Sequence, residues 1–121
     1  LIVDDSRVVR KVASRIAHDL GFECREAEDG QKACESCLED MPDAIILDWN
    51  MPIMNGIEFL EELRKMERGN EPKVIFCTTE NNITNIQRAL QAGADEYIMK
   101  PFDSEIIESK FKQVGLLQNN S

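Results

Sequence analysis

The sequence predicts a three-layer α/β fold, a doubly wound parallel sheet of five strands with helices on both faces. Three observations predict it. Short apolar runs alternate with amphipathic segments five times along the chain, with no repeat or low-complexity stretch. The runs at 44–47 and 73–77 lack the alternating polarity of a half-exposed strand, so they read as strands covered on both faces, as in parallel sheets. Strands joined through helices must also be parallel, and the right-handed crossover rule then leaves a doubly wound sheet as the natural solution.

Leu1-Ile2-Val3 is the first strand and gives way to Asp4-Asp5-Ser6. Val8, Val12, Ile16 and Leu20 recur at every fourth position, with Val9 and Ala13 beside them, which predicts an amphipathic helix stopped by Gly21. Residues 22–27 alternate loosely and form the second strand. Glu28-Asp29-Gly30 turns into a helix with Ala33, Cys34, Cys37, Leu38 and Met41 on its apolar face, ended by Pro42. The third strand, 44–47, runs into Asp48-Trp49-Asn50-Met51-Pro52, a turn that cannot continue a strand. After Ile53-Met54-Asn55-Gly56, the inner face of a third helix is Phe59, Leu60, Leu63 and Met66. Its outer face is Glu58, Glu61, Glu62, Arg64 and Lys65, with Glu61 and Lys65 spaced for i,i+4 pairing. The fourth strand, 73–77, meets Thr78-Thr79-Glu80. Residues 81–84 are weak helix material, but Ile86, Ala89 and Leu90 place a short fourth helix that Gly93 closes. A fifth strand at 96–99 precedes Lys100-Pro101-Phe102, and a last helix carries Ile106, Ile107, Lys110, Phe111 and Val114 inward. Residues 118–121 read as a loose polar tail.

The 121 residues read as one domain, 1–121, with room for a core and none for a second module. With 23 Asp+Glu against 14 Lys+Arg, the net charge of -9 repels phosphate backbones, which argues against direct nucleic-acid binding. No apolar run approaches the ~20 residues that span a bilayer, and no leader pattern opens the chain. A cytoplasmic protein without membrane insertion is expected, its opening strand cut short at Leu1. Cys34 and Cys37 have C-x-x-C spacing, yet they sit in a helical pattern among acids that raise a thiol pKa. Those two, with Cys24 and Cys77, read as small core residues.

The chemistry gathers where the strands end. Asp4 and Asp5 follow the first, Asp48 the third, Thr78 the fourth and Lys100 the fifth. In a parallel sheet these ends share one edge, the edge where such sheets bind ligands. Singly, each has an ordinary reading: the acids as turn or helix caps, Thr78 as a turn residue, Lys100 as a surface charge. Two carboxylates about 4 Å apart repel by about 1 kcal/mol in water and about 4 at an effective dielectric of 20, so the cluster needs a cation. Oxygen ligands without clustered His or Cys point to Mg2+. A metal, a hydroxyl and a lysine around one carboxylate suit phosphoryl transfer: Asp48 as nucleophile forming an acyl phosphate, Asp4 and Asp5 on the metal, Thr78 donating a hydrogen bond and Lys100 pairing with the phosphoryl group.

On these residues, together with Ile2-Val3-Asp4-Asp5-Ser6, Leu47-Asp48-Trp49-Asn50-Met51-Pro52, Asn55-Gly56, Ala92-Gly93-Ala94-Asp95-Glu96-Tyr97 and Lys100-Pro101-Phe102, the whole chain resembles the receiver domains of two-component response regulators, and among them the single-domain, CheY-like chemotaxis type. The resemblance implies a flavodoxin-like strand order of 2-1-3-4-5. It implies a phosphoryl group taken from a sensor histidine kinase or histidine phosphotransfer protein onto Asp48, with Mg2+ held by Asp5, Asp48 and the main-chain carbonyl of Asn50, and Asp4 acting through water. The peptide before Pro101 is typically cis in such proteins. Thr78 then moves to the phosphoryl group, Tyr97 turns inward, and the face of the fourth helix, fifth strand and fifth helix binds a protein target, the flagellar motor switch in the motility type. Asn50 and Glu80 occupy the positions that tune hydrolysis, while Thr79 stands where a smaller alanine is common, which narrows access to Asp48. The donor histidine must come from a partner, since the only one here, His18, reads as a surface residue of the first helix.

Such a protein is a phosphoacceptor that assists its own phosphorylation and slow self-dephosphorylation, not a turnover enzyme. Rival readings are a phosphatase of the haloacid-dehalogenase type, whose D-x-D-x-[T/V] motif and acidic pair come in the opposite order, and a receiver fold that only docks. A phosphate sink, a phosphorelay intermediate and a receiver excised from a larger regulator share the same residues.

Overall fold

Strand and helix alternate through the computed structural model as β1 (Ile2–Val3), α1 (Arg7–Asp19), β2 (Glu26–Ala27), α2 (Gly30–Glu39), β3 (Ala44–Asp48), α3 (Gly56–Lys65), β4 (Lys73–Thr78), α4 (Ile83–Gln91), β5 (Glu96–Met99) and α5 (Ser104–Gln113). The structure describes residues 1–78 and 83–118, the side chains of 83–85 excepted. Thr79, Glu80 and the end of the tail lie outside the described residues.

Helix starts follow from short polar side chains that accept otherwise unpaired N–H groups. Ser6 accepts from Val9, Asp29 from Lys32 and Asp103 from Ile106, while Asn55 and Glu58 form a reciprocal capping box. The acids Asp4 and Asp5 therefore do not cap α1. Ser6 does.

All strand pairs are parallel, in the order β2-β1-β3-β4-β5. Alternate residues of the central strands face opposite layers. Val3, Ile45, Leu47, Val74 and Phe76 pack with Ala33, Cys37, Ile57, Leu60, Leu63 and Ala89, from α2, α3 and α4. Ile2, Ile46, Ile75, Cys77 and Ile98 pack with Ala13, Ile107 and Phe111, from α1 and α5. Among the described residues no helix is long and apolar enough to cross a membrane.

Several inward faces differ from the expectation. Positions four apart advance by about 400°, so a row of them drifts by about 40° per step across the helix. In α1 the row Val8, Val12, Ile16, Leu20 accordingly starts outside and ends half-buried: Val8 is 73% and Val12 46% exposed. The buried line is Ala13 and Ala17. In α2 the covered residues are Ala33 and Cys37, whereas Leu38 is 72% exposed, and the helix ends before Met41. Leu90 and Ile106 likewise face outward.

Arg64, expected on the solvated face of α3, is a tie between loops. Its guanidinium donates to the carbonyls of Gly69, Pro72 and Gly93 and to Asp95. Lys65 pairs with Glu62, not Glu61. The second strand contracts to two residues because β1, its sole neighbour, is equally short.

Candidate functional site

Register brings the acids together. Val3 pairs with Leu47, so the next residue along each strand, Asp4 and Asp48, emerges side by side at the sheet edge. Both are buried and Asp5 is exposed. One carboxylate oxygen from each of the three lies within 4.8 Å of the others. Asp48 pairs with Cys77, and Thr78 with Met99, which places Thr78 and Lys100 at the same edge. Thr78 is buried and its carbonyl accepts the Lys100 N–H at 2.9 Å. The Lys100–Pro101 peptide is cis.

Lys100 Nζ donates to Asp4 Oδ2 at 2.7 Å and to Asp48 Oδ1 at 2.9 Å. One ammonium thus faces three carboxylates. Burial pushes the Asp48 carboxyl above its usual range; the Lys100 hydrogen bond pulls it back, but the charges of Asp4 and Asp5 add to the rise. Burial also works against the Lys100 ammonium, yet its bonds to two acids outweigh that and hold its pKa above the ordinary value. The two partners differ because Lys100 has two acceptors while Asp48 shares its cation. Two negative charges remain uncompensated, and an all-oxygen donor set of this size fits a hard divalent ion such as Mg2+.

The Asp4 end of the cluster is pinned from all sides. Its N–H donates to Ala27 at 3.1 Å, its Oδ1 accepts from the Ser6 N–H at 2.8 Å, and its carbonyl accepts from Arg10 Nη1 at 2.7 Å. Arg10 Nε in turn reaches Glu26 Oε1 at 3.2 Å, and Lys11 holds the other Glu26 oxygen at 3.0 Å. Sequence reasoning missed Arg10, because an arginine one turn into an amphipathic helix carries no local signal that separates it from a solvated charge.

Behind Asp48 the chain turns tightly. A Cβ on Gly56 would lie 2.3 Å from the Asp48 carbonyl oxygen, so only glycine permits this approach. Met54 N–H donates to the Pro52 carbonyl at 2.7 Å around Ile53, whose φ of 70° makes this a strained γ-turn. Ile53 is 76% exposed.

Asn50, two residues past Asp48, is exposed, and Glu80 lies outside the described residues. Trp49 meets Phe76 edge-on at 5.2 Å between centroids. Tyr97, opposite Phe76 on β5, is half-buried against the same core, with the Lys110 ammonium 5.2 Å from its ring centroid. Val8, Val9, Val12, Lys100, Pro101 and Phe102 line an apolar cleft of about 330 Å³. The cysteines are free, and burial pushes the Cys37 thiol up to about 11, in keeping with a packing role.

The sequence profile of the response regulator receiver domain matches residues 1–112. The chain is 38% identical over 117 residues to chemotaxis protein CheY1 of Helicobacter pylori, covering 94% of each. It is 36% identical over 115 residues to chemotaxis protein CheY of Pseudomonas aeruginosa, covering 94% of this chain and 93% of that one. The structure of chemotaxis response regulator CheY4 of Vibrio cholerae superposes with a TM-score of 0.88 at 32% identity, covering 93% of this chain and 94% of that chain.

Proposed function

Because the chain belongs to the response regulator receiver domain family, we propose that it accepts a phosphoryl group on Asp48 from a histidine of a partner kinase or phosphotransfer protein and passes the change to a protein target. The observation that carries this reading is the cluster of Asp4, Asp5 and Asp48 with Lys100 bonded to two of its members.

In the transfer a carboxylate oxygen of Asp48 attacks phosphorus in line with the bond to the donor nitrogen. The P–O bond forms, the P–N bond breaks, and the imidazole leaves as the neutral ring when its other nitrogen carries the proton. Asp5, Asp48 and the Asn50 carbonyl would hold Mg2+, with Asp4 acting through water; when bound, the ion neutralises charge on the phosphoryl oxygens. Lys100 turns from the acids to a phosphoryl oxygen, and the Thr78 hydroxyl donates to another. Asn50 and Glu80 flank the path of attacking water and set the lifetime of the acyl phosphate. The protein is consumed and regenerated as a phosphoacceptor, without turnover of a separate substrate.

The apolar cleft of α1 and Phe102 shares Lys100 with the site and offers the donor protein a surface beside Asp48. Output runs through Thr78 and Tyr97 to the face of α4, β5 and α5, whose helices expose Leu90 and Ile106. The relatives' names favour a motility target such as the flagellar switch over a phosphate sink.

The test is incubation with Mg2+ and acetyl phosphate or beryllofluoride. One phosphoryl group per chain by mass, a change in Trp49 emission, and loss of both in Asp48→Asn are expected. No mass change and no optical response overturn the reading in favour of a docking module. Capture of partners with and without beryllofluoride then identifies the target.

A further inference from the structure

We propose that Arg10 is a positioning residue for divalent-cation binding: by holding the Asp4 carbonyl, it orients the peptide that carries Asp5. The inference rests on the reading of Asp4, Asp5 and Asp48 as a cation site.

The Asp4 carbonyl and the Asp5 N–H belong to one planar peptide unit. Fixing that oxygen fixes the direction in which the backbone of Asp5 leaves β1. The Asp4 N–H bond to Ala27 and the Lys100 bond hold Asp4 itself, and the Ser6 N–H bond to Asp4 Oδ1 holds the peptide after Asp5, but none of them lies on the peptide between Asp4 and Asp5. Arg10 Nη1 does, at 2.7 Å from the carbonyl oxygen.

The guanidinium is well placed for this. Its side chain is 13% exposed, and its Nε is anchored 3.2 Å from Glu26 on β2, which Lys11 steadies from the other side. A rigid planar fork meets a carbonyl and a carboxylate in two fixed directions, which a lysine cannot do. Asp5 is the exposed member of the acidic cluster, so its orientation depends most on the backbone that carries it.

Charge and geometry predict opposite signs here. Arg10 places a positive group near a site for a cation, so by Coulomb interaction alone its removal would tighten Mg2+ binding. Positioning predicts that removal weakens it. Groups that orient metal ligands typically contribute about 10- to 100-fold in affinity.

The experiment is an Mg2+ titration followed by Trp49 emission, on the wild type, Arg10→Ala, Arg10→Lys, Asp5→Asn and the Arg10→Ala/Asp5→Asn pair, with metal-free thermal unfolding of each. Arg10→Ala is expected to bind Mg2+ about 10-fold more weakly. Arg10→Lys, which keeps the charge and so guards against a chain that fails to fold, is expected to show an intermediate loss. In the Asp5→Asn background the Arg10→Ala loss is expected to vanish, because its target is gone. Unchanged or tighter binding in both Arg10 variants, or an equal loss with and without Asp5, overturns the inference. A wild type with no Mg2+ response overturns instead the reading of the acidic cluster on which it rests.

Discussion

Lys100 divides its ammonium between Asp4 and Asp48, and that division sets the response to pH and to metal that the site is expected to show. Asp48 has a folded pKa above its ordinary value, so the native state binds its proton more tightly than the unfolded chain does. Stability therefore falls as pH rises from the ordinary aspartate range through the folded pKa, and the ionised carboxylate is a net cost at neutral pH. Asp48→Asn in metal-free buffer is expected to raise the thermal midpoint at pH 7 by a few degrees, with the gain fading below about pH 4, as read by circular dichroism. Lys100 also competes with any cation for the same two acids. Lys100→Met should bind Mg2+ several-fold more tightly by Trp49 titration while losing the optical response to beryllofluoride. The charged groups at these strand ends were legible in the sequence, whereas their pairing was not: Lys100 is 96 residues from Asp4 and 52 from Asp48.

The loop between β3 and α3 joins Asp48 to its scaffold, and its two ends differ in strain. Asn55 and Glu58 exchange cap bonds, so Asn55→Ala is expected to destabilise the fold by about 1 kcal/mol in urea titrations. Ile53 holds a left-handed backbone that a β-branched residue rarely adopts, and its exposed side chain gains nothing from burial. Ile53→Gly should stabilise by about 1 kcal/mol in the same titration, since relieved strain exceeds the added freedom of the unfolded chain. Element order, strand ends and the inner face of α3 followed from local pattern, but the faces of α1, α2, α4 and α5 followed only in part. An apolar row four residues apart crosses the face it is meant to mark, so Val8 and Val12 pointed inward on paper and outward in the fold. Arg64 reversed the other way, because three loop carbonyls converge where its helix passes.

At the scale of the molecule, cation binding at the acidic cluster is expected to be linked to folding. Three carboxylates held together by the native strand order are far apart in an unfolded chain, so an ion that binds the folded state alone adds stability. Mg2+ at 100 times its dissociation constant should add about 2.7 kcal/mol, seen as a rise in melting temperature that Asp5→Asn diminishes. The alternation of strand and helix and the acids and lysine at the strand ends could be read along the chain. Each depends on residues within a turn or two of one another, where covalent geometry and side-chain period suffice. Packing alone decided that one ammonium bridges Asp4 and Asp48, that Arg10 grips the backbone ahead of Asp5 and that Arg64 ties the α3–β4 loop to the α4–β5 loop. The Lys100 contacts and the Arg64 bond to Gly93 join segments far apart in sequence, and even for the nearer contacts of Arg10 a long cationic side chain has no preference for solvent or backbone until its neighbours are in place.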